Sequence, residues 1–314
     1  MWMFSKQQRF YFSFTSLICA FMVLRGETFV CNGVQYALRD ETPRGIVAVK
    51  CLTNIMHDVV LPREINGYPL VGIGEMAFDD CAAVHSLTLP DTVRFVGYRA
   101  FSGSGITNIF LPSGITNIGF SAFLHCKELT HIKMPDTVSI ISSHMFLGCT
   151  KLTTVIIGAN VREIEEDAFF LCGKLAEFAF PDRLDTIGQT AFGGAGLSSI
   201  VLPESVTNIG FAAFGACTNL KQAVFNGNNF SLPSNLFIEC SSLEKVVFKG
   251  SVTSIGEWAF MGCARIKEIH FTGLPPLLKG KEIFKEDNNL TIYYSCEGNK
   301  WSDTFGGRPT KRSH

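Results

Sequence analysis

The chain has 314 residues, a formal net charge of −1 and 46% hydrophobic residues. This composition supplies enough apolar material for a substantial core. A nucleic-acid-binding face needs clustered Lys and Arg, and the longest basic cluster is the terminal TKRSH, so nucleic acid is not an expected partner. The 11 Cys are too widely spread for a small disulfide scaffold.

The N-terminus has the pattern of an export signal. Lys6 and Arg9 precede residues 10–24, which are apolar and carry no charge. A basic segment followed by a short apolar segment predicts a signal peptide over residues 1–26, with cleavage after Ala20 or Gly26. The alternative is an uncleaved membrane anchor, although the run is short for a span of ~20 residues. Both interpretations make the protein secreted or attached to the cell surface.

A Phe recurs through the remainder of the chain at intervals of 22 to 24 residues. The ten copies are Phe78, Phe101, Phe123, Phe146, Phe169, Phe192, Phe214, Phe237, Phe260 and Phe284. The segment that follows usually reads aliphatic-x-x-aliphatic-x-aliphatic, and Pro often closes it. The last two apolar residues point to the same side of a strand, and Pro ends the strand because it lacks an N–H. One such unit cannot bury its apolar side, so stacked units are expected to form a parallel solenoid.

The repeat also carries the motif I-G-x-x-A-F-x-x-C, as in IGEMAFDDC, IGFSAFLHC, IGFAAFGAC and IGEWAFMGC. This motif resembles that of the BspA-like leucine-rich-repeat proteins, and the resemblance covers roughly residues 55–310. It implies a leucine-rich-repeat solenoid with a parallel sheet on one face and short helical or irregular return arms. The family is mostly secreted or surface-attached, and some members are thought to bind host or matrix proteins.

The resulting domain prediction has three parts after the signal peptide. We expect an N-terminal cap over residues 27–60, a solenoid of about ten repeats over residues 61–288 and a C-terminal cap over residues 289–314. Cys31 and Cys51 lie in the N-terminal cap and could pair with each other. Local irregularity is expected at Ser102–Ser104, at Gly194–Gly196 and in NFSLPSNLF, where the repeat pattern is lost.

Seven cysteines lie three residues after a repeat Phe: Cys81, Cys126, Cys149, Cys172, Cys217, Cys240 and Cys263. Ser104 and Ala195 take this position in two other repeats, which indicates a tight packing site. Disulfides between neighbouring repeats are disfavoured, because strand spacing separates equivalent Cβ atoms by ~5 Å and a disulfide needs ~3.8 Å. We therefore predict a ladder of buried free thiols, and the scattered Cys pattern predicts no metal site and no cofactor.

A catalytic role is the least favoured function. A Cys/His hydrolase would have to use Cys126 with His125 or His131, but a core thiol is denied the electropositive, partly exposed setting that reactivity requires. We expect His131 to be a surface residue of a strand. No motif of a known catalytic or phosphate-binding class appears in a supporting context. Neither catalytic residues nor a small-molecule substrate are predicted.

Function is instead expected on the outward face of the strands. The position between the last two apolar residues of each repeat points outward and is aliphatic from Ile156 through Ala179 to Val247, with polar residues beside it. An apolar stripe with a polar border is typical of a protein-binding patch, although Val and Ile also suit strands without any ligand. The candidate binding residues are Phe110, Lys133, Ile156, Val201, Val224, Val247 and His270. The predicted function is binding or adhesion to a host, matrix or envelope protein. The alternative is a structural envelope protein that self-associates.

Overall fold

The computed structural model describes residues 28–40, 42–52, 57–287, 289–297 and 300–313. The predicted signal peptide therefore lies outside the described residues. The first half of the chain contains strands β1 (Thr28–Cys31), β2 (Val34–Arg39), β3 (Gly45–Cys51), β4 (His57–Val60), β5 (Glu64–Ile65), β6 (Tyr68–Ile73), β7 (Val84–Thr88), β8 (Phe95–Val96), β9 (Asn108–Phe110), β10 (Asn117–Ile118), β11 (His131–Lys133), β12 (Ile140–Ile141) and β13 (Thr154–Ile156).

The second half contains strands β14 (Glu163–Ile164), β15 (Thr186–Ile187), β16 (Ser199–Leu202), β17 (Asn208–Ile209), β18 (Gln222–Phe225), β19 (Phe230–Leu232), β20 (Lys245–Phe248), β21 (Val252–Gly256), β22 (Glu268–Phe271), β23 (Leu277–Lys279), β24 (Thr291–Tyr294), β25 (Thr304–Phe305) and β26 (Arg308–Arg312). No helix occurs among the described residues, so of the predicted helical or irregular return arms only the irregular kind is present. It follows that the described part also has no helix able to cross a membrane.

The strands stack into a parallel solenoid, as predicted. One side, here called the front sheet, consists of β4, β7, β9, β11 and β13, followed by β16, β18, β20, β22, β24 and β26. A second side, the side sheet, consists of three shorter stacks: β3-β6-β8-β10, β12-β14-β15-β17 and β19-β21-β23. A third side, the turn column, is built from the tight turns that surround each repeat Phe. Each coil of the chain passes through the side sheet, the turn column and the front sheet in that order.

The ten repeat Phe rings form one continuous stack inside the solenoid, which confirms the stacking of units expected from the Phe interval. Neighbouring ring centroids lie between 5.1 and 6.0 Å apart. A row of backbone hydrogen bonds accompanies the rings. The N–H of each Phe except the last donates to the carbonyl oxygen of the residue before the next Phe, as from Phe146 to Ala168 at 2.8 Å. Side chains and main chain therefore fix the same register in the turn column.

The turn column, which forms the irregular return arm of each coil, has an unusual backbone conformation. The residues two before and two after every repeat Phe have positive φ, for example His144 at 56° and Gly148 at 71° around Phe146. L-residues rarely adopt this left-handed region. In the coils of Phe78 through Phe237 their N–H groups donate to the next coil, at 2.9 Å from His144 to the Glu166 carbonyl. Contacts between coils thus hold the turn in place, whatever residue type occupies it.

The Gly of the Ile-Gly step is explained by close backbone contact between coils. A Cβ atom added at Gly119 would lie 2.6 Å from the backbone nitrogen of Tyr98 in the preceding coil. Backbone atoms at that distance cannot move aside without disturbing the whole coil. The motif therefore marks where the chain leaves the side sheet and enters the turn column.

Two caps close the ends of the solenoid. At the N-terminal end, β1, β2 and β3 pair antiparallel, and β3 then pairs parallel with β6. A disulfide joins Cys51 to Cys81, with the two Cα atoms 6.7 Å apart. The prediction of a free thiol at Cys81 is therefore wrong, and the partner of Cys51 is Cys81, in the first Phe coil. Cys31 is buried in the same cap, with β2 lying between its strand and that of Cys51.

The C-terminal cap is a hairpin of β25 and β26, and β26 extends the front sheet by pairing parallel with β24. Trp301 fills the space under this hairpin. Its ring stacks on Tyr294 with centroids 5.2 Å apart and contacts Phe271 at 5.4 Å and Phe305 at 5.1 Å. The open end of the apolar core is covered in this way.

Candidate protein-binding face

The seven predicted binding residues all lie on the outward side of the front sheet, in one column. Phe110, Lys133 and Ile156 are register partners in β9, β11 and β13. The column continues after one coil, where Val201, Val224, Val247 and His270 are register partners in β16, β18, β20 and β22.

Exposure divides the column into two kinds of position. Phe110, Ile156 and Val201 expose 74%, 53% and 55% of their surface, and Lys133 is also exposed. Val224, Val247 and His270 are half-buried. Val224 and Val247 each have a branched or aromatic register partner on both sides, which shields them. The strongly apolar and accessible part of the face therefore lies between Phe110 and Val201.

The expected continuous aliphatic column from Ile156 to Val247 is interrupted at Ala179. Residues 177–180 do not form a strand, and within this fully described stretch none of their backbone groups makes a backbone hydrogen bond. The physical cause is the combined size of Phe178 and Phe180, which occupy the two inward positions; the other front-sheet coils through Phe271 hold at most one aromatic ring there. The front sheet consequently ends at β13 and resumes at β16.

This interruption creates a cleft that the sequence pattern did not indicate. Its volume is about 560 Å³, and it is lined by Thr153, Thr154, Val155, Glu177, Phe178, Ala179, Phe180, Ser199 and Val201. Phe178 packs edge-on against Phe169 and Phe192, at 5.1 and 4.9 Å between centroids, yet remains half-exposed. Two inward Phe in a single coil were the signal that could have revealed the cleft.

The C-terminal end of the column is polar. The Glu268 carboxylate accepts hydrogen bonds from Lys245 Nζ at 2.8 Å and from His270 Nε2 at 2.9 Å. These bonds, first that of Lys245 and then that of His270, lower the pKa of Glu268. The His270 ring stacks on Tyr293, with centroids 4.8 Å apart. Tyr293 thus extends the column by one coil, which the repeat pattern had not included.

The remaining cysteines form the predicted ladder of buried thiols. The Sγ atoms of Cys126, Cys149, Cys172, Cys217, Cys240 and Cys263 each donate to the carbonyl oxygen of the Phe in the preceding coil, at 2.9 to 3.2 Å. All six side chains are fully buried and free of disulfides. Burial raises the pKa of Cys126 and Cys172 to about 12.

The residues of the hydrolase alternative point in different directions. Cys126 is sealed in the core, whereas His131 lies exposed on β11 with its Nδ1 atom 2.8 Å from Thr130 Oγ1. His125 is exposed on the turn column and has positive φ. In the described part of the chain, no three His, Cys, Asp or Glu side chains come together as metal ligands.

Comparisons with known proteins agree with this architecture. A family model described as "BspA type Leucine rich repeat region" matches residues 58–176 and 162–291. Among solved structures, a leucine-rich repeat protein from Bacteroides ovatus is 22% identical, with a TM-score of 0.52, over 91% of this chain and 100% of its own. That likeness shows the fold.

Two further structures are more distant. A leucine rich cell surface protein from Faecalibacterium prausnitzii is 22% identical over 87% of this chain and 96% of its own, with a TM-score of 0.42. The pneumococcal vaccine antigen PcpA is 16% identical over 87% and 94%, with a TM-score of 0.43. A comparison with curated proteins gave no match. The family model covers well over half of the chain, and the protein belongs to the BspA-type leucine-rich-repeat family.

Proposed function

We propose that this chain is a secreted or cell-surface protein that binds another protein through the outward face of its front sheet. The observation that carries the proposal is the accessible apolar column of Phe110, Ile156 and Val201. Large apolar side chains aligned on a rigid sheet and bordered by polar residues are typical of interaction surfaces. Leucine-rich-repeat proteins in general act through protein–protein contacts.

The dimensions of the face suit a macromolecular partner. Parallel strands lie ~4.8 Å apart, so the seven coil-to-coil steps from Phe110 to His270 extend roughly 34 Å. That length matches a loop or an extended segment of a protein and exceeds a small metabolite. The cleft between Ile156 and Val201 gives this face a concave centre, where an aromatic or aliphatic side chain of the partner would contact Phe178.

The location outside the cytoplasm rests on two features. Lys6, Arg9 and the apolar residues 10–24 have the composition of an export signal. The disulfide between Cys51 and Cys81 is the kind of bond that persists in oxidising compartments. A host, matrix or envelope protein is the partner class that such a location offers.

The proposal assigns no catalysis to the chain. Burial disfavours the thiolate form of Cys126, and a thiol needs that form to act as a nucleophile. Its hydrogen bond to the Phe101 carbonyl gives it a structural role instead.

A pair of matched charge substitutions tests the face. Val201→Asp places a carboxylate at the edge of the cleft, where a docked partner would desolvate it, and we expect at least a ~10-fold loss of affinity. Leu277→Asp on the side sheet is the control, since Leu277 is 64% exposed and lies away from the front sheet. Both variants should keep their stability within ~0.5 kcal/mol, because the substituted side chains point into solvent.

Capture of partner proteins is measured on the immobilised wild-type and variant proteins. Light scattering measures the self-association of each protein in solution. A structural envelope protein that self-associates would use the same face and would show concentration-dependent assembly without a partner, lost in Val201→Asp alone. If Val201→Asp changes neither capture nor self-association, the front face is not the binding surface.

A further inference from the structure

The column of side chains that lie three residues after each repeat Phe ends with a carboxyl group instead of a thiol. Asp287 lies three residues after Phe284, at the position that holds Cys in seven of the preceding coils, six of them with a free thiol. Its backbone has the geometry of the others, since its N–H donates to the Phe284 carbonyl at 3.3 Å as that of Cys263 donates to the Phe260 carbonyl at 3.1 Å. The side chain is fully buried. A carboxyl group therefore stands where the fold elsewhere places an S–H donor.

Both carboxyl oxygens of Asp287 are buried without a hydrogen-bond partner. An ionised carboxylate in such a place is disfavoured, because burial removes its hydration and no well-formed hydrogen bond replaces that hydration. A neutral carboxylic acid carries one O–H donor, as a thiol does. The pattern of the ladder also supplies an acceptor, because each Cys donates to the Phe carbonyl of the preceding coil. By the same register, the acceptor expected for a neutral Asp287 is the carbonyl of Phe260.

The C-terminal hairpin covers the end of the ladder beyond Phe284. Where the following coil carries a free thiol, the Phe carbonyl accepts its S–H, as Phe237 accepts that of Cys263 at 3.2 Å. Among the described residues no further Phe coil follows Phe284, and its carbonyl instead accepts a hydrogen bond from the Arg308 guanidinium of β26. Arg308 therefore docks the hairpin onto the end of the ladder.

We propose that Asp287 is a proton-dependent latch of the C-terminal cap: with its carboxyl neutral it completes the ladder and leaves Arg308 on the Phe284 carbonyl, and loss of the proton releases the hairpin of β25 and β26. A carboxylate at this site needs the hydration that burial denies it, and water would reach it when the hairpin moves away. That movement breaks the bond from Arg308 to the Phe284 carbonyl, which docks the hairpin. The consequence is an open solenoid end, with Trp301 and Phe271 uncovered.

Two charged groups act on Asp287 from the elements around it, Arg308 of the hairpin and Glu286 of its own turn. The backbone N–H of Cys263 in the preceding coil also approaches the carboxyl group and favours its ionised form. Burial is the main cause that raises the pKa of Asp287 to about 8; Arg308 opposes the rise and Glu286 adds to it. In the opened cap the carboxyl meets water and returns to its ordinary pKa near ~4. The closed cap therefore binds a proton that the open cap has lost, and closure weakens as pH rises from about 4 to about 8.

Hydrogen exchange of the β24–β26 amides as a function of pH tests the latch. After correction for the intrinsic exchange rate, the opening constant of the hairpin should rise roughly 10-fold per pH unit between pH 5 and pH 7.5 and level off above about pH 8. Amides of β11 and β13 in the same sample serve as the internal control, and their opening should not follow pH in this way.

Two variants remove the titrating group in different ways. Asp287→Cys restores the thiol of the other coils, and Asp287→Asn keeps the shape without the charge. Both should hold the hairpin closed with a pH-independent opening constant. The proposal is overturned if the wild-type constant does not depend on pH, or if either variant retains the wild-type slope.

Discussion

Two neighbouring parts of the front sheet show how the same repeat can give a strand or a break. In the coil after Phe214, the inward residues are Ala223 and Phe225, both buried, and β18 bonds to strands on either side. In the coil after Phe169 they are Phe178 and Phe180, both half-exposed, and no strand forms. One large ring can be accommodated when its partner is smaller, but two cannot. The repeat period thus determines the length of each coil, while the combined volume of its two inward side chains decides whether a front-sheet strand forms.

The largest loss of stability should come from removing the ring of Phe192, which lies between the two coils. Phe192 contacts Phe169, Phe214 and the two cleft residues Phe178 and Phe180. Phe192→Ala should lower the free energy of unfolding by ~3–5 kcal/mol, because a cavity opens in the middle of the Phe ladder. Phe178→Ala should cost only ~1–3 kcal/mol, since its ring already contacts solvent. Urea titrations of both variants measure the difference, and equal losses would show that Phe178 belongs to the core.

A smaller loss of stability is expected when the same break is introduced into the regular part of the front sheet, at β18. Ala223→Phe gives its coil two inward rings, and overpacking should destabilise the protein by ~1–3 kcal/mol. The amides of Gln222 and Val224 should then lose protection in hydrogen exchange. Ala223→Val is the control, because Val246 stands at the same position of the next coil. Retained protection in Ala223→Phe would refute the volume argument.

The smallest change in stability should accompany repair of the break. The double variant Phe178→Ile, Phe180→Leu carries the inward pair of a regular coil and should stay within ~1 kcal/mol of wild type. Its new strand should slow hydrogen exchange at Glu177 and Ala179 by roughly 5- to 10-fold, as expected for one added hydrogen bond each. Unchanged exchange would mean that something other than the two rings keeps the chain out of the sheet.

These contrasts explain which features could be predicted from the sequence. The Phe interval predicted the stacked coils, and the alternation of apolar residues predicted that Phe110, Ile156 and Val201 share an outward face. The break was missed because Ile, Leu and Phe count equally in an apolar pattern although their volumes differ. The left-handed turns were missed because contacts between coils impose them on residues as different as His144 and Gly148.

The ends of the solenoid were harder to predict for a related reason. Caps do not repeat, so the pairing of Cys51 with Cys81 has no counterpart from which to infer it, and connectivity does not follow from sequence alone. Asp287 stands at a position that the Phe interval identifies, but its chemistry differs from that of every other coil. Only its burial shows that a carboxyl group has taken the place of a thiol.

The break also has a mechanical consequence. A coil of about 23 residues spans ~80 Å when fully extended but only ~4.8 Å along the folded axis, so stretching the protein from its ends should lengthen it in steps of about 75 Å. The coil of Phe178 and Phe180 lacks the strand bonds that its neighbours make on the front side. Under load the molecule should part there first, into two stiff segments that each keep an unbroken front sheet.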